Sequence, residues 1–124
     1  RFINTKESKA PDAYKDMITT SSASDVVYTA AVSGVPANFL RPSLEAMGIT
    51  EDMWQTSGKM DFGKDTDAAK KEAKAWRSIW SAGHGVATID DALPVSDLVD
   101  RLRLEFLEAL REQQSVLEFY SKKN

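Results

Sequence analysis

The chain has 124 residues, 42% of them apolar and 28% charged; that suffices for one small domain with a modest core and is too apolar for intrinsic disorder. Its net charge of −3 leaves no basic field to attract nucleic acid or anionic lipid. With no cysteine it makes neither disulfides nor thiolate zinc sites, which fits a reducing compartment such as the cytoplasm, and no apolar run nears the roughly 20 residues that cross a membrane.

Arg1-Phe2-Ile3 reads as the end of a short buried strand. A domain ordinarily begins at an exposed polar boundary, so the expectation is that sequence upstream of Arg1 is missing. Pro11 suits the first turn of a helix, and Tyr14, Met17 and Ile18 share one face, which predicts a short amphipathic helix over 11–20. The serines at 21, 22 and 24 break it. Residues 25–32, rich in valine and small residues, predict an extended segment. Ser33-Gly34-Val35-Pro36 is a turn.

A second short helix begins near Pro42, with Leu44 and Met47 facing inward. Gly48 followed by Ile49 predicts a left-handed C-cap with an apolar clasp. Residues 50–67 are mostly polar and lack a period, as expected of a surface loop. Ala69, Ala73, Trp76 and Trp80 are spaced four, three and four apart, which predicts a helix over 67–80. Ser81-Ala82-Gly83-His84-Gly85 is too flexible for a helix interior, and structure resumes over 86–89.

The last segment has the strongest pattern. Val95, Leu98, Val99, Leu102, Phe106, Ala109, Leu110, Gln113 and Leu117 form one stripe, apolar except at Gln113. Asp97–Arg101 and Arg101–Glu105 are i,i+4 pairs; Asp100–Arg103 and Glu108–Arg111 are i,i+3 pairs. A helix of about 25 residues, roughly 38 Å long, follows. Such a helix needs a partner surface, and Leu98, Leu102, Phe106 and Leu110 are expected to be exposed in its absence, favouring self-association.

Few residues offer chemistry. Gly58 to Lys64 nearly spells a phosphate-binding loop, but its glycines are one residue too close, and Asp65 stands where a hydroxyl should meet magnesium. A solvated loop is the better reading. His84 is the one histidine, too few for a metal site of known spacing and without a partner that would make it a base; a cleft-lining or ordinary role suits it better. Trp76 and Trp80 could stack on a ligand, although an i,i+4 pair of tryptophans is more often core. Asp90 and Asp91 are sequence neighbours, a poor geometry for acid–base work. Residues 81–85 carry more: small residues let backbone N–H groups approach an anion or a flat ring, and a plain helix–helix turn is the alternative.

At these residues the sequence resembles the nitronate monooxygenase family, formerly the 2-nitropropane dioxygenases. The similar stretches are Arg1-Phe2-Ile3 with Thr5-x-Glu7-Ser8-x-Ala10, then Ser33-Gly34-Val35-Pro36-Ala37-Asn38-x-Leu40-Arg41, then Ile79-Trp80-Ser81-Ala82-Gly83-x-Gly85-Val86 with Ile89-Asp90-Asp91. They occur in family order over nearly the whole chain, leaving out the loop at 50–67 and the last dozen residues.

The resemblance implies an FMN-dependent (β/α)8 barrel with an added helical region. This chain would be mainly α, a C-terminal helical segment following the last barrel strand. Residues 1–3 would end that strand, 4–94 would form the helical region, and 95–121 the long helix. FMN would be held largely by glycine-bearing strand ends upstream, and the family's catalytic histidine also lies upstream. His84 stands where many relatives carry glutamine and does not inherit that role.

Ser81, Ala82 and Gly83 are the cofactor-site residues that the resemblance implies here. No catalytic residue and no metal site is expected. The implied reaction oxidises alkyl nitronates with dioxygen, and the implied partners are the upstream barrel and a small-molecule substrate, with no nucleic acid and no membrane. Related flavin barrels act as quinone or enoyl thioester reductases, and a helical protein-interaction module is the reading from another class.

Overall fold

The computed structural model describes residues 1–55, 73 and 77–122. It is mainly helical with a single two-stranded sheet among the described residues. Helix α1 spans Asp12–Thr20, and Pro11 stands just before it as N-cap, its carbonyl accepting the Tyr14 and Lys15 N–H groups. Ile18 is buried, while Tyr14 and Met17 pack against the same cluster. The serines end α1 as their composition predicts. The backbone N–H and the hydroxyl of Ser22 both donate to Asp25 Oδ2 at 2.8 Å, closing a capping box around a 3₁₀ turn at Ala23–Asp25.

The extended segment is shorter than predicted. Strand β1 covers only Val26–Thr29, because the Thr29 hydroxyl accepts the Ala31 N–H at 3.0 Å and pulls the chain into a turn. Gly34, at a φ of 80°, completes that turn. Strand β2, Ala37–Leu40, returns antiparallel, pairing Val26 with Leu40 and Thr29 with Ala37.

Helix α2, Arg41–Ala46, follows directly. It ends as its sequence predicts: Gly48 has a φ of 75°, its N–H reaches Glu45 O at 2.9 Å, and the Ile49 N–H reaches Leu44 O at 3.0 Å. These are the two bonds of a Schellman motif, with Ile49 and Leu44 buried in one cluster as its apolar clasp.

The predicted loop at 50–67 begins instead with a helical turn, α3, at Glu51–Trp54. Two acidic residues at its N-terminus suit the helix dipole, and Trp54 packs on the core. The rest of that loop, with Gly58 and Gly63, lies outside the described residues, as do Ala69 and Trp76 of the predicted 67–80 helix. Ala73, Arg77 and Ser78 are helical, but Ile79 and Trp80 lie beyond the helix end, and Ala73, expected on the inner face, is exposed.

Two clusters form the core. Val32, Phe39, Leu44, Ile49 and Ile79 make one, and Ile18, Leu40 and Val86 make the other. Leu40 and Leu44 are fully buried, so truncating either to alanine should cost about 2–5 kcal/mol.

The first residues do not form the expected buried strand. Phe2–Asn4 is a 3₁₀ turn, and Phe2 and Ile3 are exposed. With no strand beside it among the described residues, the backbone satisfies itself locally, the Asn4 N–H reaching Arg1 O at 2.9 Å. Residues 4–7 then grip the segment leading into the last helix. Asn4 Nδ2 donates to Asp91 O at 2.8 Å, the Lys6 N–H donates to Leu93 O at 2.9 Å, and Thr5 bridges Leu93 in parallel.

That helix, α4, runs Val95–Ser121, 27 residues, or about 40 Å. Leu98 is buried and Leu102 half-buried against the rest of the chain, correcting their expected exposure, whereas Phe106 and Leu110 are exposed as predicted. The expected i,i+4 pairs of Arg101 give way to tertiary ones. Arg101 binds Asp91 at 2.7 Å and Asp90 at 3.5 Å, and Glu105 binds Arg1 at 2.6 Å. Asp91 meets the guanidinium through both of its carboxylate oxygens, the two-pronged geometry that makes such pairs strong.

Candidate functional site

The segment Trp80–Gly83 is held extended by three elements. Ser43, fully buried on α2, accepts the Trp80 N–H on its hydroxyl at 3.0 Å and donates to Leu40 O at 2.7 Å. The Leu40 N–H, at the end of β2, donates to Trp80 O at 2.8 Å. From the other side, the Tyr14 ring of α1 stacks on Trp80 with centroids 5.1 Å apart and planes at 17°. Its hydroxyl donates a short hydrogen bond to Ser81 O. Burial pushes the Tyr14 phenol above its ordinary pKa, which keeps it a donor.

Beyond this clamp the chain opens onto a cleft of about 250 Å³. Ser81, Ala82 and Gly83 line one side, Tyr14 and Ile18 the α1 side, and Arg1, Gly85, Val86 and Ile89 are among the other lining residues. Thus the structure places all three sequence-predicted cofactor residues on one cleft. Among the described residues, the N–H groups of Ser81, Ala82 and Gly83 have no hydrogen-bond acceptor.

Gly83 has a φ of −90° and a ψ of 172°, which any residue adopts, and a Cβ built on it meets no atom of the described residues within 4 Å. Neither conformation nor internal packing therefore requires glycine there. Open space at that position leaves room for a group outside the chain to lie against the backbone.

His84 begins the 3₁₀ turn His84–Thr88, is exposed, and does not line the cleft; its neighbours Gly83 and Gly85 do. Asp90 and Asp91 both engage Arg101, a structural use. The near phosphate-loop at 58–64 lies outside the described residues. Tyr14 and Ser43, which set the geometry of the cleft wall, carried no functional signal in sequence. Tyr14 showed only as a position on one helix face, and Ser43 was not singled out.

No family model matches the chain, and no curated protein does. Solved structures do. The chain is similar to FabK from Thermotoga maritima, at 25% identity and a TM-score of 0.63 over 93% of this chain and 37% of that one. A single-substitution mutant of the same Thermotoga maritima protein gives 26% identity and a TM-score of 0.62, covering 93% and 34%. The chain thus spans about a third of the structures it matches. The likeness supports the superfamily to which the sequence motifs pointed, without singling out nitronate monooxygenase within it. In fold, this chain matches the C-terminal portion of a FabK-like TIM-barrel enzyme.

Proposed function

We propose that this chain is the C-terminal part of a cytoplasmic FMN-dependent oxidoreductase, and that Ser81, Ala82 and Gly83 form one wall of its cofactor site. The observation that carries this reading is the cleft itself, where a backbone whose N–H groups meet no acceptor among the described residues runs past a glycine whose Cβ position is open among them. Donors of that kind suit the polar edge or phosphate of a flavin, and the residues present fit such a group. At about 250 Å³ the cleft falls below the roughly 300–1,000 Å³ of complete ligand pockets. A barrel would supply the rest, including the glycine-bearing strand ends that hold the phosphate.

The reaction we propose is oxidation of alkyl nitronates by dioxygen to a carbonyl compound and nitrite, with the bound flavin supplying the redox chemistry. Within it this chain's residues orient the cofactor: Tyr14, seated on Trp80 behind it, and Ile18 form an apolar side of the cleft, and the 81–83 backbone offers donors. This substrate rests on the resemblance of the three motif stretches to the nitronate monooxygenase family. A second reading, enoyl thioester reduction, is favoured by the likeness to FabK, an enoyl-ACP reductase. Assay of the full-length protein separates them. Nitrite release with oxygen uptake on an alkyl nitronate supports the first. Reduced-nicotinamide oxidation dependent on an enoyl thioester, without nitrite, supports the second. A protein that binds no flavin and does neither would contradict both.

A further inference from the structure

The two sides of the clamp on residues 80–83 differ in kind. Ser43 and Leu40 hold the Trp80 peptide from within the core, so their loss would disturb folding first. Tyr14 holds Ser81 from the cleft side, lines the cleft, and is only half-buried. Its hydroxyl bonds the carbonyl immediately before the Ala82 N–H, and its ring lies parallel to the Trp80 indole. One side chain therefore fixes both the tilt of the Ser81–Ala82 peptide and the seating of Trp80 beneath it.

We propose that Tyr14 is a positioning residue for the cofactor, setting the aim of the Ala82 N–H through its hydrogen bond to the Ser81 carbonyl of the same peptide. The inference rests on the reading of 81–83 as a cofactor wall. A carbonyl that has lost its donor lets the peptide rock, and the N–H on its far side then meets the ligand at a poorer angle. Removing the hydroxyl deletes one neutral hydrogen bond, and only the part of its effect that reaches the ligand appears in binding.

The test uses the full-length protein with Tyr14→Phe, which keeps the ring and its stack on Trp80 and so preserves the fold. Tyr28→Phe, on a highly exposed tyrosine, is the control. FMN affinity is measured by flavin fluorescence, the visible flavin absorption is recorded, and the thermal midpoint is taken without flavin. Tyr14→Phe should weaken FMN binding about two- to tenfold and move the flavin absorption band, with the flavin-free midpoint within a few degrees of the parent's. Tyr28→Phe should change none of the three. A parent that binds FMN and a Tyr14→Phe variant identical to it in affinity and spectrum would overturn the positioning role while leaving the cofactor reading intact. A drop in the flavin-free midpoint with affinity and spectrum preserved would make Tyr14 a folding residue and equally overturn it. A parent that binds no FMN would remove the cofactor reading and this inference with it.

Discussion

Glu7 caps the long helix from 88 positions away: both of its carboxylate oxygens accept the Val95 N–H at 3.0 Å. Pro94, the residue at the helix N-cap, supplies no side-chain cap of its own. A carboxylate there satisfies an orphan donor and faces the positive end of the dipole. Glu7→Ala should therefore lower stability by about 1 kcal/mol, and Glu7→Gln, which keeps an acceptor, by less. Chemical denaturation of the two variants checks this, and equal stability of all three proteins would contradict it.

Asp25 makes stability depend on acid. The Ser22 backbone N–H, then its hydroxyl, and then Arg41 hold the Asp25 carboxyl below its ordinary range. A depressed folded pKa means that this contribution is complete above the unfolded value and is lost as pH falls through the folded one. The stability difference between the parent and Asp25→Asn should thus be largest near neutrality and shrink on acidification below the usual aspartate range. Thermal unfolding across that range measures it. A difference that grows as pH falls would have the wrong sign.

Beyond Glu105, which binds Arg1, the apolar stripe of α4 is exposed. Phe106, Leu110 and Leu117 are 65%, 50% and 70% exposed on the stripe whose first turns bury Leu98. We expect this chain on its own to self-associate or to bind a hydrophobic dye through that face. The double variant Phe106→Glu, Leu110→Glu should abolish dye binding, leaving the far-ultraviolet dichroism of the body unchanged. A dye-silent monomeric parent, seen by sedimentation, would contradict this.

Where structure is local, the sequence carried it. The spacing of Tyr14, Met17 and Ile18 gave α1, the 95–117 stripe gave α4, and Gly48-Ile49 gave the Schellman cap, because each depends on residues within a turn or two. Strand β2 was not legible, since Ala37 and Asn38 have little strand propensity and are extended only by pairing with Thr29 and Tyr28. Arg101 likewise left its helical neighbours for Asp90 and Asp91, which no i,i+4 rule anticipates.

The site divides the same way. Ser81, Ala82 and Gly83 stood out as a small-residue run, whereas Tyr14 and Ser43, which hold that run extended, are 67 and 37 positions from the groups they bond. Contacts over such separations come from the assembled fold, and no local pattern encodes them.

Whether residues 81–83 lie against a bound flavin, as proposed, is decided by Gly83→Val in the full-length protein. Because the backbone at Gly83 is ordinary and its Cβ position empty, valine costs the chain itself little. Any loss then reports on a ligand occupying that space. Gly58→Val is the control. Flavin fluorescence titration should show FMN binding weakened by Gly83→Val by at least about tenfold, or some 1.4 kcal/mol, with Gly58→Val unchanged and both variants as stable as the parent without flavin. A fully yellow Gly83→Val protein that binds FMN as tightly as the parent would contradict the account and return Ser81 to Gly83 to the role of a connecting segment.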